Sequence, residues 1–158
     1  MVEESLELKY KRLKNETLLL DDGSLRHAAI NAAKRAYAPY SNFKVGAALL
    51  LQDGTVIEGN NQENVAYPSG LCAERVALFT AGASFPEKPV VALAIVAIIN
   101  GVIQPSISPC GGCRQVMLET EKRYGQTMRI LLCGQDETIL IPSAKDLLPF
   151  SFSDYNAT

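Results

Sequence analysis

The sequence predicts an α/β layer sandwich, in which helices cover a mixed sheet, and three observations predict it. A helical pattern is followed by a hairpin of two strands, and helices and strands then alternate along the chain. Such alternation is typical of helices that pack on the faces of a sheet. The strand at 90–99 is apolar on both faces, as a covered central strand is. At 158 residues, the chain has the length of one domain.

The first half of the chain contains the predicted first helix and the hairpin. From Ser24, leucine and alanine residues recur at helical spacing, and Pro39 ends the helix because it cannot continue the hydrogen-bond pattern. The apolar run at 45–51 and the segment at 55–57 are predicted to be strands, since Gln-Asp-Gly at 52–54 is typical of a tight turn between them.

The second half alternates between helices and strands. A polar loop at 60–70 precedes a predicted helix at 71–81 that ends near Gly82. The remaining predicted elements are the strand at 90–99, a helix at 110–124, strands at 128–133 and 139–141, and a short helix at 144–148. Both helices that carry cysteine motifs are thus predicted to begin at those motifs.

Composition and charge exclude several classes of protein. Hydrophobic residues make up 47% of the chain and charged residues 20%, which excludes disorder as the main state. The formal net charge is −2 and no basic stripe is visible, so binding to nucleic acid or to an anionic membrane is not expected. The longest apolar run, 90–99, is far shorter than the roughly 20 residues that span a bilayer. Residues 1–5 are acidic and lack the apolar core of a secretory signal, so we expect a cytoplasmic protein.

The N-terminal segment differs from the rest of the chain. Residues 1–21 are rich in charges, and we predict an N-terminal appendage that is solvated except for one apolar side packed on the domain. A partner-binding segment is the alternative. Residues 22–158 are then the single domain of the protein.

The cysteines indicate a metal site. The chain has four, at 72, 110, 113 and 133, and one histidine, His27. In a reducing compartment such spacings more often mean metal binding or catalysis than disulfides. Cys72 begins one predicted helix, and Cys110 and Cys113 form a CxxC motif at the start of another. Three thiols at two helix N-termini suit a zinc ion with three protein ligands and one open position, and both the cation and the helix ends favour thiolates.

The residues after Cys72 extend this interpretation. Glu74 can lie beside a water activated by the metal without ligating the metal, take a proton from that water and return it to a substrate. The alternative is a first-turn glutamate that complements the helix dipole. Three thiolates on Zn²⁺ leave a net charge of −1, which an Arg75 guanidinium donating to the sulfurs would offset. The alternative for Arg75 is an ordinary surface arginine at a helix start.

These motifs resemble those of the cytidine deaminase family. Cys-Ala-Glu-Arg at 72–75 and Pro-Cys-Gly-Gly-Cys-Arg-Gln at 109–115 match the zinc motifs of nucleobase deaminases. The segments at 40–50, 61–68 and 147–152 also follow in the family's order, so the resemblance covers roughly 24–152. It implies a three-layer αβα sandwich with a mixed central sheet.

The resemblance also implies roles for individual residues. Cys72, Cys110 and Cys113 match the ligands of one zinc ion per chain, and Glu74 matches the proton shuttle. The matching substrate-binding positions are Asn61 and Glu63 for the ribose 3′-hydroxyl, Phe43 for the pyrimidine, Tyr67, and Phe152, which in this family reaches into the site of another protomer. The all-cysteine ligand set resembles the small homotetrameric branch, and we expect a homotetramer with shared sites.

The expected substrate is a free nucleoside. A glutamate that binds a 3′-hydroxyl needs a donor there, and a polynucleotide offers a phosphate ester, which places one anion against another. Arg75 is the only Lys or Arg between 55 and 80, so a 5′-monophosphate would meet little positive charge. We expect cytidine and 2′-deoxycytidine to be converted to the uridine analogues with release of ammonia, in pyrimidine salvage. An antibiotic nucleoside deaminase is the nearest enzymatic alternative, and the segment at 61–64 favours the nucleoside enzyme.

Two alternatives come from other classes of protein. A structural zinc module would need a fourth ligand, for which Cys133 and His27 are the available residues. Cys133 falls in an apolar strand, where a free buried cysteine is the commoner case. A redox CxxC protein would leave Cys72, Glu74 and the ribose motif without a role.

Overall fold

A computed structural model describes residues 1–153, and within them one mixed sheet of seven strands is flanked by three α-helices. In chain order the elements are β1 (Lys11–Lys14), α1 (Leu20–Lys34), β2 (Lys44–Leu51), β3 (Val56–Asn60), α2 (Ala73–Ser84), β4 (Val90–Ile99), β5 (Val102–Ile103), α3 (Gly111–Tyr124), β6 (Arg129–Cys133) and β7 (Glu137–Ile141). Short 3₁₀ helices lie at Asn15–Thr17, Tyr67–Ser69 and Ala144–Leu147.

The strand order is β1-β7-β6-β4-β2-β3, and β5 pairs with the end of β4. β4 and β6 are parallel, since α3 connects them as a crossover, and the other pairs are antiparallel. The parallel pair and the central position of β4 confirm the predicted mixed sheet.

Helices cover both faces of the sheet. Successive side chains of a strand point to opposite faces, so Leu49 and Ala48 of β2 belong to different cores. Ala48 packs with Leu25 and Ala29 of α1, whereas Leu49 packs in the other core with residues of α2 and α3 that include Ala77, Leu78, Met117 and Cys113. The predicted three-layer αβα sandwich is therefore confirmed.

Glycine in β3 allows the close approach of α2. A Cβ added at Gly59 would lie 2.5 Å from the carbonyl oxygen of Ala73 and 2.5 Å from the backbone nitrogen of Ala77. Contacts under 3.0 Å with backbone atoms cannot be relieved by a side-chain movement, so only glycine permits this spacing. The first turn of α2, which carries Glu74, is thus set directly against the sheet.

Several predicted boundaries differ from those in the structure. α1 begins at Leu20 rather than Ser24, and its first turn holds the buried Asp22, whose Oδ1 accepts hydrogen bonds from Nε and Nη2 of Arg129 at 2.9 and 2.7 Å. This ion pair fixes the first turn of α1 to the start of β6. β3 extends to Asn60, and α2 continues through Gly82 to Ser84.

The segment predicted as an appendage contributes β1, which pairs antiparallel with β7. Asn15, which follows β1, donates from Nδ2 to the carbonyl oxygen of Gln135 at 2.8 Å and accepts from the Thr138 hydroxyl at 2.8 Å. The predicted boundary at 21/22 falls inside α1, and the last five residues of the predicted domain, 154–158, lie outside the described residues. Among residues 1–153, no helix has both the length and the apolarity that a membrane crossing requires.

Candidate active site

Three thiols meet where α2 and α3 begin. Cys72 is the N-cap of α2, Cys110 is the N-cap of α3, and Cys113 lies in the first turn of α3. The Sγ atoms of Cys72 and Cys110 are 3.8 Å apart, those of Cys110 and Cys113 are 3.4 Å apart, and all three lie within 4.8 Å of one another. The structure thus brings together the three residues that the sequence predicts as ligands.

The two residues considered for a fourth ligand lie elsewhere. Cys133 is buried in the core between the sheet and α1, where its thiol is 3.5 Å from the carbonyl oxygen of Leu131. His27 is exposed on α1, which covers the opposite face of the sheet from α2 and α3. With neither residue near the thiols, three ligands leave an open position on a tetrahedral ion.

The charges of the thiols explain why this site suits a cation. The pKa of Cys72 is lowered to about 5, first by the hydrogen bond from the Cys113 thiol and then by the guanidinium of Arg75. The pKa of Cys113 is raised, first because its proton is shared with the Cys72 thiolate and then because it is buried. The cluster therefore resists a second negative charge on its own, and a bound dication would permit all three thiolates. Three thiols at this spacing fit zinc in chemistry and in number.

Glu74 lies in the first turn of α2 and is 4% exposed. Burial raises the pKa of its carboxyl group, and the neighbouring Cys72 thiolate raises it further. A carboxyl group with a raised pKa holds a proton more readily than an ordinary glutamate does. The environment of Glu74 thus favours proton binding at the position where the sequence predicts a proton shuttle.

Arg75 donates a hydrogen bond to the thiol cluster. Its Nη2 donates to the Sγ of Cys72 at 3.6 Å, which places positive charge against a ligand sulfur. Its Nε is buried and has no hydrogen-bond partner among the described residues. The guanidinium is therefore held in place by one sulfur and by packing, in agreement with the predicted contact.

A cavity of about 660 Å³ opens over Cys72, Glu74 and Cys110. Four of the five predicted substrate-binding residues contribute to its wall, namely Phe43, Asn61, Glu63 and Tyr67. Phe152 does not belong to this wall: its side chain is exposed, and its carbonyl oxygen accepts a hydrogen bond from Nε2 of Gln115 at 2.9 Å.

The Asn61 side chain is oriented by the backbone at the start of β2. Its Oδ1 accepts from the Val45 nitrogen at 2.7 Å, and its Nδ2 donates to the Phe43 carbonyl oxygen at 2.9 Å. These two bonds use half of the hydrogen-bonding capacity of the amide and leave one N–H available to a ligand. Asn61 also couples the loop that carries Phe43 to the end of β3.

Glu63 is held by the loop before β2. Its Oε2 accepts from the backbone nitrogens of Tyr40 and Ser41 at 2.9 and 3.3 Å, and its Oε1 accepts from the Ser41 hydroxyl. The hydrogen bond from the Ser41 side chain is the main cause that lowers the pKa of Glu63, followed by that from the Tyr40 nitrogen. Glu63 is thus an ionised acceptor in the cavity wall.

The cavity also includes residues that the sequence did not single out. Ser41, Ile107 and Ser108 contribute to its wall. Ile107 and Ser108 directly precede the Pro109–Cys110 motif, and Ser41 lies between two aromatic residues of the 40–50 segment. Their adjacency to those motifs was the available signal, but neither periodicity nor residue type distinguishes them from ordinary loop residues.

Comparison with known proteins places this site in a family. The sequence model for the cytidine and deoxycytidylate deaminase zinc-binding region matches residues 21–126. A cytidine deaminase of Halalkalibacterium halodurans is 51% identical over 100 residues, which are 63% of this chain and 72% of that protein. One of Sporosarcina psychrophila is 43% identical over 122 residues, covering 77% of this chain and 84% of that protein.

Solved structures give the same result. The crystal structure of a cytidine deaminase from Burkholderia pseudomallei has a TM-score of 0.69 and 44% identity, covering 82% of this chain and 97% of that one. The cytidine deaminase of Mycobacterium tuberculosis has a TM-score of 0.68 and 37% identity, with 85% and 99% covered. The fold and the thiol site define a zinc-binding deaminase. The chain belongs to the cytidine and deoxycytidylate deaminase family, and it is an enzyme of the cytidine deaminase type.

Proposed function

We propose that this enzyme hydrolytically deaminates free cytidine and 2′-deoxycytidine to uridine and 2′-deoxyuridine, with release of ammonia. The observation that carries the proposal is the buried Glu74 beside three clustered thiols, in the wall of a cavity that also presents Phe43 and Glu63. Acid–base and metal-ligating groups thus share one cavity with an aromatic ring and a hydroxyl acceptor.

Cys72, Cys110 and Cys113 would hold one zinc ion per chain. When bound, zinc acidifies water, so that a hydroxide nucleophile is available near neutral pH. The contact from Arg75 to the Cys72 sulfur withdraws negative charge from the thiolates, which preserves the acidifying power of the cation.

Glu74 moves the protons of the reaction. It accepts the proton of the attacking water as the oxygen adds to C4 of the base, and it donates to N3 of the ring. Glu74 then takes the proton of the new hydroxyl group at C4 and passes it to the amino group, so that the C4 carbonyl forms as the C–N bond breaks and ammonia leaves. Water and cytidine are consumed and uridine and ammonia are formed, so atoms and charge balance.

The rest of the cavity binds the nucleoside. The Phe43 ring packs on the pyrimidine, and the Tyr67 side chain adds contact area at the exposed rim. Asn61 and Glu63 bind the ribose 3′-hydroxyl, because the carboxylate accepts and the remaining amide N–H donates. A 3′-phosphate would remove the donor and bring two anions together, so nucleic acid is not a substrate.

We also propose a homotetramer with shared active sites. Phe150 and Phe152 are 93% and 76% exposed, and both are aromatic residues close to the C-terminus. Exposed aromatic groups of this kind favour burial against a neighbouring subunit. We assign the enzyme to pyrimidine salvage in the cytoplasm, where reducing conditions keep the three thiols available to zinc.

One assay on purified protein tests the proposal. Zinc content and the loss of cytidine absorbance are measured on the same sample, with 2′-deoxycytidine, cytidine 3′-monophosphate and single-stranded DNA compared as substrates. We expect one zinc per chain and rapid turnover of the two nucleosides only. Zinc-loaded protein that leaves cytidine unchanged would contradict the reaction, and efficient turnover of the 3′-nucleotide or of DNA would contradict the substrate.

A further inference from the structure

The Ser41 hydroxyl connects two residues of the cavity wall. It donates to Oε1 of Glu63, and it accepts from the backbone nitrogen of Phe43 at 3.0 Å. Ser41 is itself exposed and lies in the loop between α1 and β2, outside both hydrophobic cores. Its contacts therefore serve the cavity and not the packing of the domain.

The hydrogen bonds of Glu63 leave room for one more donor. A carboxylate offers about four lone-pair positions. Oε2 accepts two backbone N–H groups, from Tyr40 and Ser41, and Oε1 accepts the Ser41 hydroxyl. One position on Oε1 remains, and Glu63 contributes to the cavity wall. The carboxylate is thus prepared for a single hydroxyl donor and is closed to a second one.

We propose that Ser41 is a positioning residue that makes the cavity select nucleosides with a free 3′-hydroxyl. It does so by occupying one lone pair of Glu63 Oε1 and thereby fixing the direction of the one that remains open. The inference deepens the proposed function and rests on it, since it assumes that the 3′-hydroxyl meets Glu63.

Removal of the hydroxyl would affect selectivity more than folding. In Ser41→Ala the Tyr40 and Ser41 nitrogens still hold Oε2, so Glu63 stays in place. Oε1 then has two open positions, water can occupy either, and the carboxylate can rotate about its Oε2 contacts. A substrate that uses the 3′-hydroxyl loses the prepared acceptor, whereas a substrate without that hydroxyl loses nothing at this point.

The experiment measures kcat and KM for cytidine, 2′-deoxycytidine and 3′-deoxycytidine with four forms of the full-length enzyme. These are the wild type, Ser41→Ala, Ser41→Thr, and Ser84→Ala as a matched control at the far end of α2. We expect Ser41→Ala to lower kcat/KM about tenfold for the two substrates with a 3′-hydroxyl, mostly through KM, as loss of a charge-assisted hydrogen bond does. For 3′-deoxycytidine we expect a change of less than about twofold, and Ser41→Thr restores selectivity because it keeps the hydroxyl.

The outcomes separate the two proposals. If wild-type enzyme accepts 3′-deoxycytidine as well as cytidine, the 3′-hydroxyl does not meet Glu63 and the proposed substrate contact fails. If the wild type discriminates and Ser41→Ala discriminates equally well, only the role of Ser41 is wrong. An equal loss for all three substrates, accompanied by a lower Tm, would show a merely structural serine and would also overturn the inference.

Discussion

At the scale of the residue, Glu74 is distinguished because it is buried and forms no salt bridge with any residue among 1–153. Its neighbour Arg75 donates to the Cys72 sulfur, and burial is the main cause of the raised pKa of Glu74. Burial destabilises the charged form of such a carboxyl group, and folding alone does not require this cost in free energy. The charges around Glu74 thus favour a role in proton transfer over the alternative that it only complements the dipole of α2.

Glu74→Gln tests that role directly. The amide keeps the size and the burial of the side chain but cannot carry a proton, and it alters none of the three thiols. We expect zinc binding to be retained and kcat to fall by at least about 10³-fold. Metal analysis and the cytidine assay on one preparation measure both quantities.

Cys133→Ala is the matched control for the metal. Its thiol lies in the core beneath α1, where burial raises its pKa to about 11, so it is a neutral thiol. We expect this variant to keep both zinc and activity. Loss of metal from Cys133→Ala together with an active Glu74→Gln would instead support a structural zinc module.

The sequence predicted the residues whose roles depend on local spacing. Cys72, Glu74 and Cys110 stand at fixed offsets from two helix starts, and a helix start fixes where such side chains point. The role of Ser41 could not be predicted in this way. It depends on a carboxylate 22 residues away, and loop geometry decides which way that carboxylate points.

At the scale of the element, the predicted helices and long strands depend on strong periodic patterns, and they are confirmed. β1 was missed because Lys11–Lys14 has one partly buried side chain in four and no apolar alternation. It forms because the edge of β7, more than a hundred residues away, offers hydrogen bonds. β5 has two residues, too few for a pattern. Elements that form through contacts with distant residues thus cannot be predicted from local sequence patterns.

The position of α2 depends on Gly59, and Gly59→Ala is expected to displace it. The added methyl group would overlap the backbone of Ala73 and Ala77, so the first turn of α2 must move away from β3. We expect a loss of about 1–3 kcal/mol in the free energy of unfolding, as for other overpacked sites. Activity should fall by about 10²-fold because Cys72 and Glu74 move with the turn.

Gly23→Ala is the control for this variant. Gly23 lies inside α1, and a Cβ added there meets no described atom within 4 Å. Alanine should therefore stabilise the enzyme by about 0.5–1 kcal/mol and leave turnover unchanged. Chemical denaturation and the cytidine assay compare the two variants. A Gly59→Ala enzyme with normal stability and normal turnover would contradict the close packing of α2 on β3.

At the scale of the whole molecule, the proposed sharing of active sites between subunits rests on the exposed aromatic residues Phe150 and Phe152. Phe152 stands 76% exposed while its carbonyl oxygen is held by Gln115, two residues after Cys113 on α3. The backbone is thus tied down near the site, but the ring does not contribute to the cavity wall of its own chain. A ring in this position is available to a neighbouring cavity.

Mixing of two inactive variants tests this arrangement. Glu74→Gln and Phe152→Ala chains are denatured together and refolded, so that subunits exchange. If Phe152 acts in the neighbouring site, about a quarter of the sites in a randomly mixed assembly combine an intact Glu74 with an intact Phe152. We expect cytidine turnover to return to about that fraction of the wild-type value, measured against each variant refolded alone.

The control mixes Glu74→Gln with Phe43→Ala. Both residues belong to the cavity of one chain, so every site in the mixture carries one of the two defects and no recovery is expected. Mass spectrometry of intact assemblies establishes that the subunits have mixed. Recovery with Phe152→Ala but not with Phe43→Ala would show that the site is shared. Absence of recovery in both mixtures would mean that Phe152 serves its own chain, and the C-terminal segment would then have to fold back over its own cavity when substrate binds.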